Sequence, residues 1–212
     1  MSGRRGRAIP RREDQGMNDA TPLAAQSDPA KTALTGIEVL RHGLSPLPAV
    51  LTRRMSVPVA FWTAAHSAVV LFLQYVPDGF GSVGPMVLMA TFARNGDSWS
   101  AHQHWHGHHW SHDPIADPGG TADLGGREIV GGGSGTFTSK PQPGHPAYVV
   151  TGRVSAAVAA IAVIQDGHED RRDLHSHFGT LVICTEQPSP YQINALDTAG
   201  TVIGSIDGPP GL

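Results

Sequence analysis

Residues 86–106 read MVLMATFARNGDSWSAHQHWH, two apolar-rich segments joined by Arg-Asn-Gly-Asp. The dipeptide Asn95-Gly96 supplies the two residues that a type I′ turn holds at positive φ, so the stretch predicts a β-hairpin. A two-residue turn pairs Phe92 with Trp99 and gathers the aromatic side chains on one face. The even-numbered residues from 100 to 106, three of them histidines, then lie on the opposite face, and the simplest interpretation makes that face solvated.

Further along the chain, five short segments alternate with turn signals. Asp166-Gly167, Pro188-Ser189-Pro190 and Asp197-Thr198-Ala199-Gly200 separate them. The predicted strands are 148–154, 157–164, 178–185, 191–196 and 201–206. With so few helix signals, this spacing predicts a mainly β protein built as an antiparallel β-sandwich.

Three motifs in this block carry a family resemblance. They are Gly152-Arg153-Val154 in the first strand, Phe178-Gly179 at the opening of a central strand, and Asp197-x-x-Gly200 in the closing hairpin. Residues 148–206 therefore resemble the immunoglobulin-like and carboxypeptidase-regulatory-like sandwiches that occur as accessory domains. The resemblance implies an immunoglobulin-like sandwich that binds or supports neighbouring domains without catalysis. The glycine-rich hairpin usual after the first strand is missing, so the strand order stays open.

The same patterns divide the chain into two parts. Residues 1–54 are predicted to be a disordered basic arm and linker, with a short helix or strand around 37–40. Residues 55–212 form the predicted β-rich domain. Within it we distinguish an N-terminal hairpin half (57–112), a Gly/Pro-rich connection (113–147) and a C-terminal sandwich half (148–212). The connection contains a possible strand at 127–130 and a predicted flexible loop at 131–135.

Residues 57–76 are uncharged and long enough to cross a bilayer, but they contain several polar residues. The segment is predicted to be a buried stretch of the β-rich domain, with a strand at 68–76; membrane anchoring is the alternative. Cys184 is the only cysteine and no apolar segment follows the N-terminal arginines, so a cytoplasmic location is expected.

Composition and charge exclude several classes of protein. The chain has 26 glycines and 17 prolines among 212 residues, which argues against a helical bundle, and its mean hydropathy of −0.15 excludes a polytopic membrane protein. Five arginines between positions 4 and 12 precede the first acidic residue. The rest of the chain has ten basic and eighteen acidic residues, a balance of about −8, so nucleic-acid binding is not expected except through residues 4–12.

Histidine is the one residue type whose distribution suggests chemistry. Six of the twelve histidines fall within positions 102–112, and alternate residues of a strand project from one face, where neutral imidazoles bind Zn²⁺, Ni²⁺ or Cu²⁺. A second pair, His175-Ser176-His177, has the same spacing and is a candidate to complete a site across the sandwich. The predicted metal ligands are His102, His104, His106, His108, His109, His112, His175 and His177.

Two functions follow from these observations. The first is a non-enzymatic β-sandwich that acts as a binding or accessory protein through contact with a protein partner. The alternative is a transition-metal-binding protein, such as a metallohydrolase, that uses the histidines at 102–112. The mixed charges at 169–173 are predicted to be a solvated loop, and Cys184 a buried, unreactive thiol.

Overall fold

A computed structural model describes residues 28–77, 83–109, 113–116, 124–136, 145–187 and 189–208. Within strands, the side chains of 77, 103–109 and 132–136 are not part of that description. The described residues form eleven strands and one helix, and every strand pairing is antiparallel. The prediction of a mainly β protein with antiparallel sheets is therefore confirmed.

The first sheet contains four strands in chain order. They are β1 (Val57–Thr63), β2 (Ser67–Pro77), β3 (Val83–Asn95) and β4 (Ser98–His109). The uncharged segment 57–76 thus forms two strands joined by a turn at 64–66. Both faces of β2 are buried, which explains why the sequence shows no alternation of apolar and polar residues there. No helix among the described residues is long and apolar enough to cross a membrane.

The β3–β4 hairpin forms, but its register differs from the predicted one. Asn95 pairs with Ser98, so the loop is Gly96-Asp97, and Phe92 opposes Ala101 instead of Trp99. Gly96 alone has a positive φ (61°), which matches a type II′ turn better than the predicted type I′ turn. A type I′ turn needs positive φ at both central residues. A type II′ turn needs it only at the first, which is Gly96 in this loop.

A bulge then displaces the histidine-rich part of β4. His102 opposes Thr91 but His106 opposes Met89, so four residues of β4 match two of β3. Thr91, Met89 and Val87 are all buried, and His102 is itself half-buried. Among the residues with described side chains, this face is therefore not solvated as predicted on the β3 side, because Val87 and Met89 belong to the apolar core that the first sheet shares with the other sheets.

The central sheet has three strands in the order β5-β6-β9. They are β5 (Ile129–Thr136), β6 (Tyr148–Val154) and β9 (Thr180–Thr185). Residues 131–135, predicted to be a flexible loop, belong to β5 and pair with β6, which corrects that prediction. A Cβ on Gly152 would lie 2.4 Å from the Val130 carbonyl oxygen, so the absence of side chains lets the two backbones approach at a second bulge.

The third sheet has the order β11-β10-β7-β8. Its strands are β7 (Ala160–Gln165), β8 (His168–Asp173), β10 (Tyr191–Leu196) and β11 (Val202–Asp207). The charged segment 169–173 was expected to be a loop and is instead an edge strand. Asp166 and Gly167 both have positive φ, so a tight type I′ turn returns the chain alongside the apolar β7.

The central sheet lies between the other two sheets, and its strands β6 and β9 are buried on both faces. Alternate residues of its strands point to opposite sides. On one side the ring of Tyr148 lies 5.9 Å from that of Tyr191 in the third sheet. On the other side the Cys184 thiol donates a hydrogen bond of 3.9 Å to the Trp62 carbonyl oxygen in the first sheet. One apolar core runs through all three sheets.

The helix α1 (Pro29–His42) covers the outer face of the first sheet. Asp28 caps it by accepting a hydrogen bond from the Ala30 amide, and it ends at Gly43. This helix corrects the predicted linker, which allowed only a short element at 37–40. The residues it buries are Thr32, Gly36 and Val39, too small and polar to give an amphipathic signal. Residues 1–27, the first half of the predicted arm and linker, lie outside the described residues.

A groove between two sheet edges as the candidate functional site

Two strand edges from different sheets meet along one side of the molecule. Among the described strands, β1 pairs only with β2 and β8 only with β7, so each has one outer edge. Just beyond β8 the chain crosses to β1: Ser176 forms an isolated bridge with Ala60, and the His177 amide donates to the Val59 carbonyl, 2.7 Å away. From this junction the two edges diverge and leave a groove, which we call the inter-sheet groove.

Arg172 crosses the groove. Its Nη1 donates to the carbonyl oxygen of Thr63 and, at 2.9 Å, to the Thr63 hydroxyl. Its Nε and Nη2 donate to the two carboxylate oxygens of Asp170, and its guanidinium lies 4.6 Å from the centre of the Trp62 indole. A side chain of β8 is thus fixed against β1, and it separates the groove into two chambers.

The smaller chamber lies on the side of the junction and measures about 210 Å³. Thr180 and Val182 of the central sheet form its floor, and His175 stacks on Phe61 with 6.3 Å between ring centroids. The larger chamber, about 680 Å³, lies beyond Arg172 and has Cys184 among its lining residues. The combined groove offers an apolar floor between two walls of strand backbone.

The lining of the larger chamber carries more acidic than basic side chains. Its acidic residues are Asp166, Glu169, Asp170 and Glu186, and its arginines are Arg94 and Arg172. Glu186 accepts hydrogen bonds from the His66 amide (2.5 Å) and the Ser67 hydroxyl (3.0 Å). Since these donors are uncharged, they orient the carboxylate without neutralising its charge. The chamber is consequently suited to a cationic group.

Cys184 contributes a neutral thiol to this chamber. Burial raises the pKa of Cys184 to about 12, and the nearby charge of Glu186 adds to the effect. The thiolate is the nucleophilic form of cysteine, so this thiol is unreactive at neutral pH. The side chain acts as part of the apolar floor.

The backbone of β8 presents hydrogen-bonding groups to the groove. Gln165 and His168 close the two-residue hairpin and therefore form a hydrogen-bonded pair. Bonded and non-bonded pairs alternate along an antiparallel ladder, so the amides and carbonyls of Glu169, Arg171 and Asp173 point away from β7. These three residues can accept an added strand.

The predicted metal ligands fall into separate parts of the fold. His102 lies on β4, and His104, His106, His108 and His109 belong to the same strand, with only their backbone described. His112 lies outside the described residues. His175 and His177 lie next to β1, at the opposite edge of the first sheet, where His177 Nε2 is 3.0 Å from the Ser45 carbonyl oxygen. Two strands separate β1 from β4, about 14 Å of sheet at the usual strand spacing.

The structure adds a histidine that the sequence pattern did not single out. The ring of His145 lies 4.3 Å from that of His102, centroid to centroid. Its position in the Gly/Pro-rich connection gave no signal, because the two histidines are 43 positions apart and no pattern links them. Among residues with described side chains, no group of three or more His, Cys, Asp or Glu is arranged to hold a metal ion.

Comparison of this chain with protein-family models, with curated proteins and with solved structures finds no match.

Proposed function

We propose that this chain is a non-enzymatic binding protein that holds an extended, basic segment of a protein partner in the inter-sheet groove. The segment adds as a strand to the outer edge of β8, and its cationic side chains face the acidic lining of the larger chamber. The observation that carries the proposal is the exposed outer edge of β8, which faces the apolar floor and the acidic lining of the inter-sheet groove.

We also propose the immunoglobulin-like sandwich as the architecture of residues 129–207. The central sheet contributes three strands and the third sheet four, packed through a shared apolar core, which is the strand number of a constant-type immunoglobulin domain. The first sheet then adds a further layer on the outer face of the three-stranded sheet. This arrangement supports an accessory role, and the single buried cysteine supports a cytoplasmic location.

Strand addition explains why β8 is so polar. An unprotected edge invites pairing with any exposed strand, and charged side chains are a common means of restricting it. On β8 both signs of charge are present, so a partner must offer complementary charges at matching positions. Main-chain hydrogen bonds supply affinity in this mode of recognition, and the side chains supply specificity.

The test uses two synthetic peptides of eight residues, one alternating valine with lysine and the other valine with glutamate, titrated calorimetrically. The lysine peptide is expected to bind at least about tenfold more tightly than the glutamate peptide, because its ammonium groups pair with the acidic lining of the larger chamber. The double variant Asp166→Asn/Glu169→Gln should weaken its binding severalfold. The matched variant Glu38→Gln/Asp207→Asn removes the same charge from exposed sites elsewhere and should leave binding unchanged.

A second pair of variants separates strand addition from simple charge attraction. Arg171→Pro removes an outward amide of β8, whereas Arg171→Ala removes the same side chain and keeps the amide. Only the proline variant should fail to bind the lysine peptide. Equal binding by both variants, or no binding of the lysine peptide at millimolar concentration, would overturn the proposal.

The ring contact between His102 and His145 favours a metal site at β4 as a second candidate function. It adds a described imidazole beside the predicted ligands at 102–112. Elemental analysis of the untagged, dialysed protein tests it, in parallel with His104→Ala/His106→Ala and the control His42→Ala/His66→Ala. Stoichiometric zinc, nickel or copper lost only from the first variant would support this candidate, and metal-free protein would eliminate it.

A further inference from the structure

A second cleft lies on the opposite face of the first sheet, beneath α1. It measures about 350 Å³ and is lined by the first turns of α1, the segment 53–56 and part of β2. This volume falls within the range of small-molecule sites. We call it the α1 cleft.

The α1 cleft concentrates positive charge in an otherwise acidic molecule. Lys31, Arg53 and Arg54 all line it, three of the ten basic residues that follow the N-terminal arginines. Arg53 is partly neutralised, because its Nη2 lies 3.7 Å from Asp113. Lys31 and Arg54 have no ion pair among the described residues. Asp28, the acidic residue in the lining, caps the helix.

Asp113 fixes the position of Arg53. Its Oδ1 accepts hydrogen bonds from the Tyr75 hydroxyl (2.5 Å) and from the amides of Ile115 and Ala116. Burial acts to raise the pKa of Asp113, but the hydrogen bond from Tyr75 and the other donors outweigh it and lower the pKa. The ionised carboxylate and the Tyr75 ring, 5.8 Å from the guanidinium, hold Arg53 at the rim.

The floor of the cleft combines an apolar surface with a buried amide. Phe72 is fully buried and gives an aromatic base. Gln74 is only 4% exposed, and its side chain makes one hydrogen bond with described residues, from Nε2 to the Ser56 hydroxyl at 2.8 Å. The carbonyl oxygen of this amide accepts no hydrogen bond from the described residues, so it is able to accept one from a bound molecule.

We propose that the α1 cleft binds a small organic anion with an apolar portion, its carboxylate or phosphate group between Lys31 and Arg54 and its apolar portion over Phe72. Arginine and lysine together recognise either anion through charge-assisted hydrogen bonds. The site is independent of the inter-sheet groove, which lies at the β1 edge and on the opposite side of the sheet.

Calorimetric titration with three probes tests the proposal: hexanoate, hexyl phosphate and inorganic phosphate. At least one of the two alkyl probes is expected to bind, and whichever binds identifies the anionic group. Inorganic phosphate should bind at least about tenfold more weakly than hexyl phosphate or not at all, since it lacks the apolar portion. Equal affinity for the two phosphates, or no binding by either alkyl probe, would overturn the proposal.

Matched variants locate the site. Lys31→Ala/Arg54→Ala should weaken binding of the alkyl probe at least about tenfold, because the variant loses the charge-assisted hydrogen bonds to the anionic group. Arg41→Ala/Arg127→Ala removes the same charge from exposed positions outside the cleft and should change affinity less than twofold. Urea denaturation of both variants verifies that they remain folded. A similar loss in the two variants would show general charge attraction and would refute the site.

Discussion

Gly36 of α1 lies directly on the ring of Phe92. A Cβ built on this glycine would be 2.2 Å from the Phe92 Cζ, far inside contact distance, and the ring is fully buried in β3. The helix therefore packs so close to the first sheet that position 36 has no room for a Cβ atom. This contact fixes the height of α1 above the sheet and, with it, the depth of the α1 cleft.

We predict that Gly36→Ala destabilises the protein by about 1–2 kcal/mol, although alanine favours helix by about 1 kcal/mol over glycine. The overlap with a ring that has no room to move outweighs the gain in helix propensity. Urea denaturation measures the effect, with Leu34→Ala on the exposed side of α1 as a control near zero. In the background of Phe92→Leu, the cost of Gly36→Ala should shrink. A stabilising Gly36→Ala would contradict the close packing described here.

Arg172 is predicted to stabilise the fold through contacts that only its planar guanidinium makes. It joins Thr63, Asp170 and Trp62 across two sheets. Arg172→Ala should lower the free energy of unfolding by about 2 kcal/mol, since it removes several charged hydrogen bonds and a cation–π contact. Arg172→Lys keeps the charge but cannot form the paired contact with Asp170, so it should recover less than half of the loss. Full recovery by lysine would show that charge alone matters.

The sequence predicts most of the strands of this fold, because their signals are local. The predicted bounds of β6 and β10 coincide with the structure, and the turn at Asp197 forms as expected, with its carboxylate accepting from the amides of Ala199 and Thr201. Apolar residues flanked by turn-forming residues suffice to define such elements.

The elements that the sequence did not predict lack a periodic apolar pattern. β8 consists of charged residues and is a strand only because the turn at Asp166-Gly167 places it beside β7. β5 contains a run of glycines that β6 holds extended, and α1 buries a glycine where a large apolar residue is expected. In each case the conformation is set by contacts with a neighbouring element of the fold and not by the segment's own sequence.

The inter-sheet groove is likewise absent from any local pattern. The contact between Arg172 and Thr63 joins residues 109 positions apart, and that between Glu186 and Ser67 joins residues 119 apart. The local sequence around Glu169, Asp170 and Arg172 predicts a solvated loop, because their neighbours along the chain are charged as well. Their roles follow from the meeting of two sheet edges, which only the tertiary structure defines.

The β3–β4 turn gives a prediction that distinguishes two turn types. Gly96 has a φ of 61°, whereas Asp97 does not have a positive φ. Gly96→Ala should therefore cost about 1 kcal/mol, because alanine is strained at positive φ, and Asp97→Ala should cost much less. Thermal denaturation of both variants measures the difference. Equal costs at the two positions would indicate a type I′ turn, in which both residues have positive φ.

Stability is predicted to fall at alkaline pH because buried acids keep their protons in the folded state. Burial raises the pKa of Cys184 to about 12, and burial also raises the pKa values of Tyr75 and Tyr191. In the unfolded chain a cysteine ionises near pH 8.5 and a tyrosine near pH 10, so above pH 8.5 the unfolded state binds fewer protons than the folded state. The free energy of unfolding then decreases as pH rises, by about 2 kcal/mol between pH 8 and pH 10.

Cysteine supplies most of this change, which a pair of variants isolates. Cys184→Ala should flatten the dependence of the unfolding free energy on pH between 8 and 10, since only the tyrosines then remain to ionise. Val149 pairs with Cys184 across β6 and β9 and is equally buried, so Val149→Ala lowers stability without removing a titrating group. Urea denaturation at pH 7, 8, 9 and 10 should give the wild-type slope for Val149→Ala and a shallow slope for Cys184→Ala. The same slope in both variants would mean that Cys184 does not control the alkaline loss.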